Sequence, residues 1–114
     1  MGEIRLFGFS DVDEVKKQFE VSDEDWKGVN VIYGNYGSYS YDGDAMVVFE
    51  KDGKLYQVEG SHCSCYGLEG QWIPTETNLM ALRAYKPSSD YFVPDGIEGW
   101  EKTLKELAEK YEIH

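Results

Sequence analysis

The sequence predicts an α+β fold: an antiparallel sheet of three to four strands, with an N-terminal helix, a middle helix and a C-terminal amphipathic helix packed on it, mainly on one face. Three observations lead there. The segment Lys51-Asp52-Gly53-Lys54 places Asp-Gly between two β-rich runs, the signature of a two-residue type I′ hairpin. The run Asp44–Glu50 alternates Ala45, Val47 and Phe49 with Met46 and Val48, so both of its faces are apolar and it belongs at the centre of a sheet. At the far end, Ile97, Trp100, Leu104, Leu107 and Tyr111 recur at spacings of three and four, the stripe of a helix with one buried face.

From the N-terminus, Ser10 is the first capping residue. Asp11 and Asp13 follow it in the turn where carboxylates complement the helix dipole. Val12, Val15 and Phe19 share a face, and the helix is expected to stop near Glu20. Ser22 caps a short turn over Asp23-Glu24-Asp25-Trp26, anchored by Trp26. Val29–Tyr33 reads as a strand that runs on past Gly34 toward Tyr41, with Asp42-Gly43 as a turn. Leu55–Glu59 returns from the hairpin, and the glycine-rich stretch after Gly60 reads as irregular or edge structure. Pro74-Thr75 is expected to start the middle helix, which buries Leu79 and Leu82 and ends by Pro87. Residues 88–96 read as an aromatic loop, and the last helix as about Glu98–Glu112, with Glu101–Lys105 and Glu106–Lys110 as stabilising pairs.

The chain has 114 residues, the size of one domain, with a 41% hydrophobic and 15% aromatic content that suffices for a packed core. Its 22 acids against 11 basic side chains give a formal charge of −11. That balance disfavours direct binding to nucleic acid or an anionic membrane and favours basic partners. Met1-Gly2-Glu3-Ile4-Arg5 begins no apolar leader, and the longest apolar run, Ala45–Phe49, falls far short of the ~20 residues of a spanning helix. Cys63 and Cys65, two positions apart, would close a strained disulfide, so free thiols and a cytoplasmic location are expected.

Three constellations are candidates for function. His62-Cys63-Ser64-Cys65 offers two thiols and an imidazole, enough for a partial zinc site or a thiol enzyme or metal sensor. A structural role is favoured, with a cysteine packed as a small hydrophobe and His62 on a polar partner. In an extended strand His62 and Cys63 point to opposite faces, so the segment does not build a Cys–His catalytic pair. No cofactor is expected. The tyrosines Tyr33, Tyr36, Tyr39 and Tyr41 read first as sheet packing and second as a face for a protein or small ligand. Residues 11–25 carry seven acids against Lys16 and Lys17. Such a run is ordinarily a solvated helix face, yet it can also enter a basic groove built for a duplex, which carries one charge per ~1.7 Å. Asp11, Asp13, Glu14, Asp23, Glu24 and Asp25, with Tyr36, Tyr39 and Tyr41, are therefore the candidate binding residues.

The run Gly-Lys-Leu-Tyr-Gln-Val-Glu-Gly-Ser-His-Cys-Ser-Cys-Tyr-Gly-Leu-Glu-Gly-Gln-Trp at residues 53–72 resembles one found in a family of small bacteriophage and bacterial proteins. There a strand is followed by a Gly-Ser-His-Cys-Ser-Cys-Tyr-Gly-Leu-Glu-Gly-Gln-Trp segment and a helix; the likeness spans about residues 28–85. The family brings no activity with it. The resemblance implies a phage-type context, the host cytoplasm, in which small acidic proteins bind and disable a host enzyme or defence complex. The expectation is an acidic interaction protein of anti-defence type, in the manner of an anti-CRISPR inhibitor or nucleic-acid mimic, directed at a basic surface.

Overall fold

A computed structural model describes residues 4–37, 42–63, 67–85 and 94–111. In chain order the elements are β1 (Arg5–Phe7), α1 (Val12–Phe19), α2 (Asp23–Trp26), β2 (Asn30–Tyr36), β3 (Asp42–Lys51), β4 (Lys54–Cys63), β5 (Thr75–Thr77), α3 (Leu79–Ala84) and α4 (Pro94–Tyr111). Among the described residues the five strands form one sheet in the order β1-β2-β3-β4-β5. Every pairing is antiparallel except β1 with β2, which is parallel. The fold is α+β as expected, with more strands than the sequence displayed.

The expected hairpin closes as Lys51 opposite Lys54, and Asp52 and Gly53 both hold the positive φ that a type I′ turn demands (55° and 79°). β3 is the central strand. Asp42-Gly43 is not a turn: both residues belong to β3, paired with Cys63 and His62. β4 correspondingly runs on to Cys63, because each residue from Gly60 onward has a register partner on β3. In β2 the register shifts between Val31 and Tyr33, a bulge that puts Ile32 and Tyr33 against the same core while Val31 faces the other.

Both faces of the sheet are covered, and this corrects the expectation that the helices lie mainly on one. Val15 and Phe19 of α1 pack with Val31, Ala45, Val47, Phe49 and Val58 on one face. Leu79 and Leu82 of α3 and Trp100 and Leu107 of α4 pack with Tyr33, Met46, Val48 and Leu55 on the other. The cause is β3 itself: a strand apolar on both sides leaves one face wet unless helices cover both.

Local signals explain the helix limits. α1 starts after Asp11, not Ser10: the Asp11 carboxylate accepts from the Glu14 N–H at 2.8 Å, and the Glu14 carboxylate accepts from the Ser10 N–H at 2.7 Å. Glu20, with φ +53°, ends it as expected. Ser22 caps α2 as expected, accepting from the Asp25 N–H at 3.1 Å. The middle helix does not start at Pro74. Thr75–Thr77 pair with β4, and Asn78 caps α3 by accepting from the Ala81 N–H at 2.9 Å. α4 starts at Pro94, four residues earlier than the stripe indicated. Its face is lined by Trp100, Leu107 and Thr103, whose hydroxyl donates to the Gly99 carbonyl at 2.8 Å; Leu104 is only half-buried. Glu106 pairs with Arg5 of β1, and Lys110 with Glu50 of β3, tying α4 to the sheet, while Lys102 and Glu98 pair within the helix.

Candidate acidic surface and the segment after Gly60

Val15 and Phe19 of α1 and Trp26 of α2 pack on the same core, so the two helices cover one face of the sheet as one layer, and the candidate acids lie along them. The Lys16 ammonium reaches the Asp23 carboxylate at 2.6 Å, a bridge from α1 to the start of α2. That hydrogen bond, with the Lys16 charge, holds the Asp23 carboxyl below its ordinary range. Asp11 and Glu14 each commit an oxygen to the start of α1. Asp13, Glu20, Glu24 and Asp25 are exposed. The candidate acids thus divide into three with structural duties (Asp11, Glu14, Asp23) and a set turned to solvent and open to a partner, to which the structure adds Glu20.

The tyrosine-rich stretch is less available. Tyr36 is half-buried; its ring stacks on His62 at 4.3 Å and 11°, and meets Phe9 edge-on at 5.4 Å. Burial, then the nearby charges of Glu14 and Glu69, push its phenol above the ordinary value. Tyr33 is fully buried, and its hydroxyl accepts from the Asn35 amide at 3.2 Å. Tyr39 and Tyr41 lie outside the described residues.

His62 is also engaged. It is 8% exposed, and its Nε2 lies 2.7 Å from the Gly37 carbonyl oxygen. A carbonyl can only accept, so Nε2 is the donor in this bond. The polar partner expected for His62 is this carbonyl, and the Tyr36 ring covers its face. The side chain of Cys63 and all of Cys65 lie outside the described residues; among those described, no three His, Cys, Asp or Glu side chains converge as a metal set.

Residues 67–72 serve the packing of the fold. Leu68 is fully buried and joins the α1-side core. Gln71 imitates a peptide group: its carbonyl accepts from the Ser61 N–H at 2.8 Å, while its NH₂ donates to the Ser61 carbonyl at 2.7 Å and the Gly67 carbonyl at 2.8 Å. Trp72 then stacks on Phe49 at 5.3 Å and 14°, and meets Phe19 and Trp26 at 5.3 and 5.5 Å. The second half of the cysteine-bearing run is thus a plug, a clamp and an aromatic lid.

Beside that lid lies a cleft of about 400 Å³, whose lining includes Tyr56, Trp72, Asp25 and Asp52. It has no counterpart among the sites expected from the sequence. These residues are 47 positions apart at the extremes, and only the hairpin after Phe49 hinted at their meeting. No helix among the described residues is long and apolar enough to cross a membrane. No protein-family model, curated protein or solved structure matches the chain.

Proposed function

We propose that the protein is an acidic interaction protein that occupies a basic surface on a nucleic-acid-handling complex and inhibits it, in the phage-type setting that the resemblance of residues 53–72 implies. The observation that carries this reading is the exposure of Asp13, Glu20, Glu24 and Asp25 on the single layer formed by α1 and α2, in a chain of net charge −11. Carboxylates so placed keep their attraction for a cationic groove and speed encounter with it. The competing uses have weaker support. Tyr36 is stacked, Tyr33 is buried, and one nitrogen of His62 is already committed to a carbonyl.

The test is affinity capture from a bacterial lysate on the immobilised protein at low and high salt, with duplex DNA as competitor. Wild type is compared with Asp13→Lys/Glu20→Lys/Glu24→Lys, which spares the N-capping side chains Asp11 and Ser22 and the Lys16–Asp23 bridge, and at Glu20 changes only a side chain, since that residue ends α1 through its backbone N–H. A nucleic-acid-handling complex that is retained at low salt, displaced by duplex and lost in the variant is the expected result. Retention that ignores salt, duplex and the three reversals overturns the reading.

A further inference from the structure

We propose that the cleft between α2, the β3–β4 hairpin and Trp72 is a receptor for one arginine side chain of the basic partner. This rests on the reading that the partner is basic, and it names how one of its residues is held. The cleft combines two kinds of group that recognise a guanidinium. Tyr56 and Trp72 are half-buried, and both rings lie nearly parallel to that of Phe49, at 17° and 14°. They supply aromatic surface, on which a cation is attracted by the ring quadrupole. Asp25 in α2 and Asp52 in the turn are exposed acidic residues that line the same cleft. Neither set marks a site alone; together, around a cavity, they do.

Arginine fits better than lysine for a physical reason. Its guanidinium is planar, stacks on rings, is weakly hydrated and can fork between carboxylate oxygens, whereas an ammonium is a compact and strongly hydrated point charge. Lys51 also lines the cleft, and its stem lies against Gly28, 3.6 Å from where a Cβ would stand there. Its charge opposes an entering cation, so the lining carries two negative charges against one positive. Lys51 therefore lowers affinity for a lone arginine, and its removal has a defined sign.

The experiment follows the indole N–H of Trp72 by two-dimensional ¹H–¹⁵N NMR in the full chain, assigned with Trp72→Phe. The probes are N-acetyl-arginine amide, N-acetyl-lysine amide and the neutral N-acetyl-norleucine amide, each at matched ionic strength in potassium chloride. The expected result is a saturable shift with arginine, a weaker one with lysine and none with norleucine. Asp25→Asn and Asp52→Asn, exposed positions whose loss leaves the core intact, should each weaken arginine binding about threefold. Lys51→Gln should tighten it. An unmoved Trp72, an equal response to norleucine, tighter binding of lysine, or indifference to both asparagine variants would overturn the proposal. If that happens while Asp13→Lys/Glu20→Lys/Glu24→Lys still abolishes partner capture, the cleft is wrong and the acidic layer stands. If Trp72 responds as expected but capture ignores the reversals, the cleft stands and the acidic layer is wrong.

Discussion

The junction between β1 and β2 can be tested by one methyl group. Gly8 has φ +88°, and a Cβ built on it would sit 2.2 Å from the carbonyl oxygen of Tyr36, a backbone atom held in the β2 ladder. Gly70 has nearly the same φ, +78°, and nothing lies within 4 Å of its Cβ position. Alanine at Gly70 meets only the left-handed backbone penalty, about 1–2 kcal/mol. Alanine at Gly8 meets that penalty and a collision with backbone that cannot swing aside, an overpacking cost of about 1–3 kcal/mol more. Gly8→Ala should therefore lose about 2–5 kcal/mol in total, against a typical domain stability of roughly 5–15 kcal/mol. Urea unfolding followed by circular dichroism, with the slope checked for constancy, reads both variants. Equal losses for Gly8→Ala and Gly70→Ala would refute the parallel docking of β1, because the collision exists only in that arrangement.

The packing sets the other expectations. Leu107→Ala, at a position 4% exposed, should cost about 2–5 kcal/mol in urea unfolding, and the half-buried Leu104→Ala about half as much. Gln71→Glu should destabilise more than Gln71→Ala at pH 7, because an ionised carboxylate would face the carbonyls of Ser61 and Gly67. The gap should narrow as pH falls below about 4 and the glutamate gains a proton. Burial pushes the Tyr33 phenol up to about 12, against a partial lowering from Asn35, and burial with the Glu59 charge raises Tyr85 as well. A raised folded pKa gives stability that is whole below the unfolded value near 10 and is lost as pH climbs through the folded one. Alkaline unfolding should thus set in between about pH 10 and 12, with part of the phenolate absorbance appearing only as the fold is lost. Full phenolate absorbance from an intact fold at pH 11 would contradict the buried placement.

Legibility followed the range of the forces. Caps, the Asp52-Gly53 turn and the two-faced β3 are local or periodic signals, and each told its own element. Even so, Ser10 and Asp11 are both good caps, and only the tertiary run of the chain selects Asp11. Arg5–Phe7 is a three-residue strand whose partner, Tyr33–Asn35, lies 28 positions away; nothing local marks such a pairing. Pro74-Thr75 carries a helix-start signal, but Leu55–Gln57 offered the following residues a ladder edge, and that edge won. β3 displays two apolar faces, but nothing local to it says which helices cover which face. At the candidate site, the acids of α1 and α2 were legible as a charge run. Their division into capping, bridged and exposed groups was not, since it depends on side-chain geometry. The aromatic cleft was illegible because Asp25, Tyr56 and Trp72 meet only in three dimensions.

The central claim is that exposed carboxylates on α1 and α2 draw a basic partner, and the most direct measurement is the salt dependence of that association. Once capture has identified the partner complex, its affinity for wild type and for Asp13→Lys/Glu20→Lys/Glu24→Lys is measured across a salt series by titration calorimetry, with circular dichroism confirming that the variant is folded. Wild-type affinity should fall steeply with salt, and the variant should bind more weakly with a flatter dependence. Equal affinities with equal slopes would contradict the claim.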